Sequence, residues 1–317
     1  MEFKGVYSVL PTPLKENQEV DIEGLRHLTE FLIKKNIHGV VCLGSNGEFP
    51  YFSFDEKKKI ITTVLEQVKK RIPVLVGTSC MSTKETLELS KFAKEKGADG
   101  FLLALPTYYK PRFEEVYLHY RIISEEINLP IIYYHYPSPT HLFLTPSQIA
   151  KISEIDNVVG IKESILNLKE IKKHISLIKK KPFYFFSGTS YLFLSILKMG
   201  GSGVICPVPN IIPEIVVSLY ENFNKKNLKE CKILQDKIFE TIPLFSKTIF
   251  SPYFTGKLLN LVAKSGFSLP SSSSNMQAVL KETLRQLGHP ISSVVRNPNT
   301  PLLEGDRENI EKIISEF

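Results

Sequence analysis

No run of roughly 18 or more apolar residues occurs in the 317-residue chain, so no membrane-spanning helix is expected. The opening "MEFKGVYSVLPTPL" lacks a basic segment followed by a long apolar run, so no signal peptide is read. Cysteine is scarce: Cys42, Cys80, Cys206 and Cys231 are the four, and none forms a CxxC pair. That pattern fits unpaired thiols in a reducing, cytoplasmic compartment and excludes a disulfide framework. Three of them fall in or just after apolar runs, where a small core filler is expected. Zinc-finger spacing, an HxxxH pair and a basic arm are all missing, so neither a metal nor a nucleic-acid partner is expected. The net charge of +7 is dispersed, with short runs at Lys57–Lys59 and Lys179–Lys181 that read as solvated helix faces.

What is present is an alternation. Short apolar runs cover residues 5–10, 38–43, 72–77, 100–105, 129–134, 157–162, 182–187 and 201–206. They are continuous rather than alternating, as for parallel strands covered on both faces. Between them lie stretches with helical spacing and start signals. Asp21 and Ser53 stand as N-caps, Thr145 precedes Pro146 at a first helical position, and Gly97 marks a stop. Eight βα units in series predict a (β/α)8 TIM barrel of the α/β class over residues 1–225. A doubly wound open sheet is the competing reading, and the lack of GxGxxG after the first run counts against it. Residues 226–317 read as a C-terminal helical extension, with a Ser-rich loop at 268–275.

In such barrels the chemistry lies at the C-terminal ends of the strands. The sixth run, "VVGIKES", ends on Lys162. One reading is a strand that surfaces, or a lysine paired with a carboxylate for structure. The other is a desolvated amine, held neutral enough to attack a ketone and form a Schiff base. Tyr134 ends the neighbouring strand, where its phenol can move protons beside an imine. Tyr133 points the other way by strand alternation. "GSNGE" (44–48) reads as a tight turn whose N–H groups can face a carboxylate, with the Ser45 hydroxyl in a relay with Tyr134.

These residues together resemble the dihydrodipicolinate synthase / N-acetylneuraminate lyase family of Schiff-base 2-oxo-acid aldolases. The likeness runs in order over roughly residues 3–265, through "TPL", "GSNGE", "PTYYKP", "YHYP", "GIKES", "SGTS" and "GSGVICPVPN". The resemblance implies Lys162 as the imine-forming residue and Tyr134 as the proton shuttle. It implies Ser45 and Asn46 as holders of the substrate carboxylate, with Gly188 and Ile205 lining the pocket. It also implies that Tyr109 reaches into a neighbouring subunit's site within a homotetramer or homodimer. The partners implied are pyruvate and an aldehyde, and no cofactor is implied because the imine is the electron sink.

The departures bear on substrate. Pro139 stands where dihydrodipicolinate synthases carry an arginine, and a proline supplies no guanidinium. His135 replaces the asparagine after the tyrosine; facing away from the pocket, it is expected to pack or to make an interface hydrogen bond rather than catalyse. His141 replaces a glycine and is a candidate contact for an acidic substrate. "GSNGEFPY" and "STKET" look most like the 4-hydroxy-2-oxoglutarate aldolase branch, which is the leading expectation. A dihydrodipicolinate synthase, a sugar-acid lyase of the same family and a non-catalytic 2-oxo-acid binder are the alternatives.

Overall fold

The computed structural model describes residues 2–105, 108–246, 250–266 and 275–315. Eight parallel strands close into one barrel in sequence order. They are β1 (Gly5–Val9), β2 (Gly39–Cys42), β3 (Val74–Gly77), β4 (Gly100–Leu103), β5 (Ile131–His135), β6 (Val158–Glu163), β7 (Tyr184–Ser187) and β8 (Gly203–Cys206). Each lies within the apolar run read for it, save that β5 and β6 reach one residue further. The flanking residues turn out to be loop. The doubly wound sheet is thereby excluded, since β1 pairs with both β2 and β8.

The continuous apolar pattern follows from burial on both faces. One parity of seven strands fills the barrel interior with Tyr7, Val9, Val41, Leu75, Leu102, Ile132, Tyr134, Tyr184, Phe186 and Ile205, and β6 adds Gly160 and Lys162, the register partners of Ile132 and Tyr134. The other parity packs against the surrounding helices. Bulky and null side chains face each other inside, because a Cβ on Gly39 would lie 2.2 Å from the Tyr7 ring. Each buried aliphatic or aromatic side chain contributes about 1.5–3 kcal/mol, so this two-sided core dominates stability.

The helices begin where the sequence signals them. Asp21 caps Ile22–Lys34, Ser53 makes a full capping box with Glu56 at the start of Phe54–Val68, and Thr145 does so with Gln148 before Pro146–Ser153. One charge run departs from its reading. Lys57 is buried, with its ammonium against Cys80 and the Phe49 ring, because its position on Phe54–Val68 faces the barrel side. Lys180 also has structural work: its ammonium lies 2.6 Å from the Ile155 and Asp156 carbonyl oxygens. Cys42, Cys206 and Cys231 are buried and all four thiols are free.

Beyond Asn224 the described residues form further helices that share the barrel's apolar core. Leu228–Phe239 packs along Pro213–Asn224, Pro252–Ser265 packs on Leu168–Leu177, and Met276–Gln286 packs on Glu304–Ile314. Met276–Gln286 also touches the turn at Ser45–Gly47. Most of the Ser-rich stretch at 268–275 lies outside the described residues. No helix among the described residues is long and apolar enough to cross a membrane.

Candidate active site

Lys162 is the fifth of the six residues of β6 and is directly opposite Tyr134 of β5. Both side chains point inward at the C-terminal mouth of the barrel. Lys162 is only 2% exposed, so the strand does not surface there. Among the described residues no carboxylate pairs with it; its ammonium nitrogen instead lies 3.9 Å from the centre of the Tyr134 ring. Burial without a counter-ion disfavours the charged form and lowers its pKa from 10.5 to about 7. Both bland readings of this lysine, a surface strand end and a structural ion pair, are therefore removed.

The Tyr134 phenol accepts a hydrogen bond from Ser45 Oγ at 3.4 Å. Burial pushes its pKa up to about 12, against opposing hydrogen bonds from Ser45 and Ser164, so at neutral pH it holds its proton. Tyr136 stacks on its ring at 5.5 Å. Ser164 is a neighbour of the phenol that sequence reasoning did not single out, although it sits inside the "GIKES" motif.

Ser45 and Asn46 lie on a short 3-10 turn, Ser45–Gly47, directly after β2. Gly47 N–H donates to the Gly44 carbonyl and Glu48 N–H to the Ser45 carbonyl, which leaves the N–H groups of Ser45 and Asn46 as the turn's candidate anion donors. Thr12, from the "TPL" motif, fixes the turn by donating to the Gly47 carbonyl at 2.9 Å. Gly188 donates its N–H to the Glu163 carbonyl at 2.7 Å, and a Cβ there would fall 2.1 Å from Ser164 Oγ. Only glycine lets the end of β7 close onto the end of β6. Ile205 is fully buried in the interior layer with Tyr134 and Phe186. Tyr109 is not brought to Lys162 within the described residues: it is 80% exposed and sits edge-on to Tyr108. Pro106 and Thr107 of its motif lie outside the described residues. Pro139 and His141 are exposed, His141 in a left-handed conformation (φ 51°) after the short helix Pro137–Thr140.

His135 faces away from the mouth, as strand alternation predicts, and its partner is within the chain rather than across an interface. Its Nδ1 lies 2.8 Å from Glu163 Oε1, and His174 Nδ1, on Leu168–Leu177, lies 2.8 Å from Glu163 Oε2. Ile165 N–H donates to the same carboxylate at 3.1 Å. The three side chains could hold a metal ion by proximity, since their ligand atoms lie within 4.8 Å of one another. The donor set argues for a hydrogen-bonded carboxylate instead, because three N–H groups satisfy Glu163 without an ion. Burial alone would raise the Glu163 pKa, but the charge and hydrogen bonds of His135 and then His174 hold it at about 2. In the strand register His135 is paired with Glu163 as Tyr134 is with Lys162. The outer pair thus ties together the two strand ends that carry the inner pair. The sequence held no spacing signal for this cluster, whose members come from three separate elements.

A buried lysine, without a carboxylate partner among the described residues, sits beside a phenol at the C-terminal mouth of a closed (β/α)8 barrel, which is the geometry of a class of barrels with a candidate amine nucleophile. Comparison narrows the class. A profile of the dihydrodipicolinate synthetase family matches residues 2–271, and the chain belongs to that family of lyase-type enzymes. A 4-hydroxy-tetrahydrodipicolinate synthase of Syntrophus aciditrophicus is 37% identical over 251 residues, covering 79% of this chain and 86% of the relative. Dihydrodipicolinate synthase from Thermotoga maritima is 30% identical with a TM-score of 0.83, over 99% of this chain and 98% of that one. The chloride-inhibited dihydrodipicolinate synthase from Acinetobacter baumannii, solved with pyruvate, is 28% identical with a TM-score of 0.83, over the same shares of the two chains. These names match the synthase held as an alternative better than the 4-hydroxy-2-oxoglutarate aldolase taken as the leading expectation.

Proposed function

We propose that the chain joins pyruvate to an aldehyde through an imine on Lys162, as a 4-hydroxy-tetrahydrodipicolinate synthase. The observation that carries the imine is the buried Lys162 amine, without a counter-ion, against the Tyr134 ring. The names of the relatives support the synthase reading.

The amine, half neutral near pH 7, attacks the ketone carbon of pyruvate. Tyr134, a proton-holding phenol, gives its proton to the carbinolamine oxygen, which leaves as water. The protonated imine then draws electrons from the adjacent methyl carbon, which loses a proton to the Tyr134 phenolate and becomes a nucleophilic enamine; Tyr134 returns that proton to the aldehyde oxygen in the next step. Attack on the aldehyde carbon makes the new bond and regenerates the imine, and water releases the product from Lys162. The N–H groups of Ser45 and Asn46 hold the pyruvate carboxylate, and the Ser45 hydroxyl passes protons to Tyr134. Gly188 and Ile205 shape the pocket. No cofactor is required in this scheme. Tyr109, exposed in the single chain, completes the site of a neighbouring subunit in a homodimer or homotetramer.

A second reading is favoured by Pro139. Without a guanidinium at that position the second carboxylate is not gripped there, which suits a 4-hydroxy-2-oxo acid aldolase with a simpler aldehyde. Intact-mass analysis after pyruvate and borohydride, followed by peptide mapping, tests the shared step; the expected result is a reduced adduct on Lys162. No adduct on folded protein would leave only a 2-oxo-acid binder. Turnover with a four-carbon amino-acid aldehyde against glyoxylate then separates synthase from aldolase. Tyr134→Phe is expected to slow adduct formation by about two orders of magnitude, measured by quench-flow trapping, as for loss of a general acid–base group.

A further inference from the structure

We propose that the C-terminal extension is a positioning part of the active site: residues 277–299 latch the turn that carries Ser45 and Asn46. The inference rests on the proposed role of that turn in holding pyruvate.

The latch grips Glu48, the last residue of the turn. Glu48 is fully buried and in the left-handed conformation (φ 59°), which is uncommon for a non-glycine residue. Its carboxylate is held by the extension: Lys281 Nζ is 2.5 Å from Oε1, Arg296 N–H donates to Oε2 at 2.7 Å and Asn299 Nδ2 at 3.2 Å. Lys281 is itself fully buried and also donates to the Val294 carbonyl. Gln277 Nε2 donates to the Ser45 carbonyl at 3.1 Å, reaching the proposed pyruvate-binding residue itself. The strap is closed on its outer side by Arg296, whose guanidinium pairs with Glu56, donates to the Gln18 carbonyl and lies over the Phe52 ring.

Buried polar and charged groups must be partnered. Remove the extension and the Glu48 carboxylate loses these partners, so the turn is free to reorient it toward water. Ser45 and Asn46 then move, and with Ser45 the contact to the Tyr134 hydroxyl. All four latching residues lie beyond residue 271, where the family profile ends. The extension therefore supplies what the profile-matched part of the chain leaves unpartnered.

Gln277 is half-buried, so it can be changed without emptying the core. Gln277→Glu keeps its shape but loses the donor to the Ser45 carbonyl, whereas Gln277→Lys keeps a donor. Gln277→Glu is expected to raise the KM for pyruvate about 3–10-fold, the scale of one lost hydrogen bond, with a smaller change in kcat. It is expected to speed hydrogen exchange of the amides of residues 45–48, read by mass spectrometry, without lowering the melting temperature. Gln277→Lys is expected to match wild type in all three. Wild-type KM and wild-type exchange in Gln277→Glu would overturn the latch. So would a KM rise shared by Gln277→Lys or tracking a fall in melting temperature, since that assigns Gln277 to folding. If wild type forms no pyruvate adduct, the functional reading fails by itself, and the exchange at 45–48 still decides the latch.

Discussion

Lys162→Met is expected to abolish the borohydride-trapped pyruvate adduct and turnover while making the folded protein more stable. The two effects have one cause. The amine titrates at 10.5 in its ordinary state and near 7 in the folded protein because burial disfavours the ammonium and no carboxylate among the described residues offsets it. Between those values the unfolded chain holds the proton more tightly, so stability rises with pH across that window. The cost of the buried charge is full at and below about pH 7 and fades toward 10.5. Each unit of separation is worth about 1.4 kcal/mol, which puts the cost on the order of a few kcal/mol at neutral pH. Methionine has similar length and no charge, so the gap in urea midpoint between variant and wild type should widen as pH falls from 10 toward 7, then level off. Trapping in wild type should rise with pH and flatten above about 7, where the amine is neutral. A gap that does not change with pH would mean that the lysine is solvated or paired, and the site would lose its nucleophile.

The same contrast explains what was legible. The eight strands could be read because burial on both faces leaves continuous apolar runs, and a lysine at the end of such a run is an anomaly against that background. Tyr134 followed by adjacency, and its orientation by alternation; the same alternation turned His135 outward. Contacts between distant segments left no such trace. His135, Glu163 and His174 meet because a strand, its neighbour and a helix converge. Gln277 reaches Ser45 across 232 positions, and no spacing rule spans that distance. Charge misled in the same way. Lys57 sits in a charged helical stretch read as solvated, and only the packed fold shows which face it takes. The substrate expectation turned on the local text of "GSNGEFPY" and "STKET", whereas similarity over most of the chain favours the synthase.

Lys281→Met is expected to destabilise the protein by about 3–5 kcal/mol, read as a shift of the urea midpoint with an unchanged slope. The reason is not that the Lys281–Glu48 pair is strongly stabilising. Burial lowers the Lys281 pKa despite the attraction of Glu48, so desolvation outweighs what the pair returns. The large effect comes from what is left behind: a fully buried carboxylate with only Arg296 N–H and Asn299 to hold it. The sign of this argument can be checked with the double variant Lys281→Met/Glu48→Gln. Its amide carries no charge and still accepts from Arg296 N–H, so most of the lost stability should return. A double variant as unstable as the single would show that packing around the lysine stem, rather than the orphaned carboxylate, causes the loss. A single variant as stable as wild type would mean that Glu48 is hydrated in solution. The extension would then be detached from the turn, and the latch would fail with it.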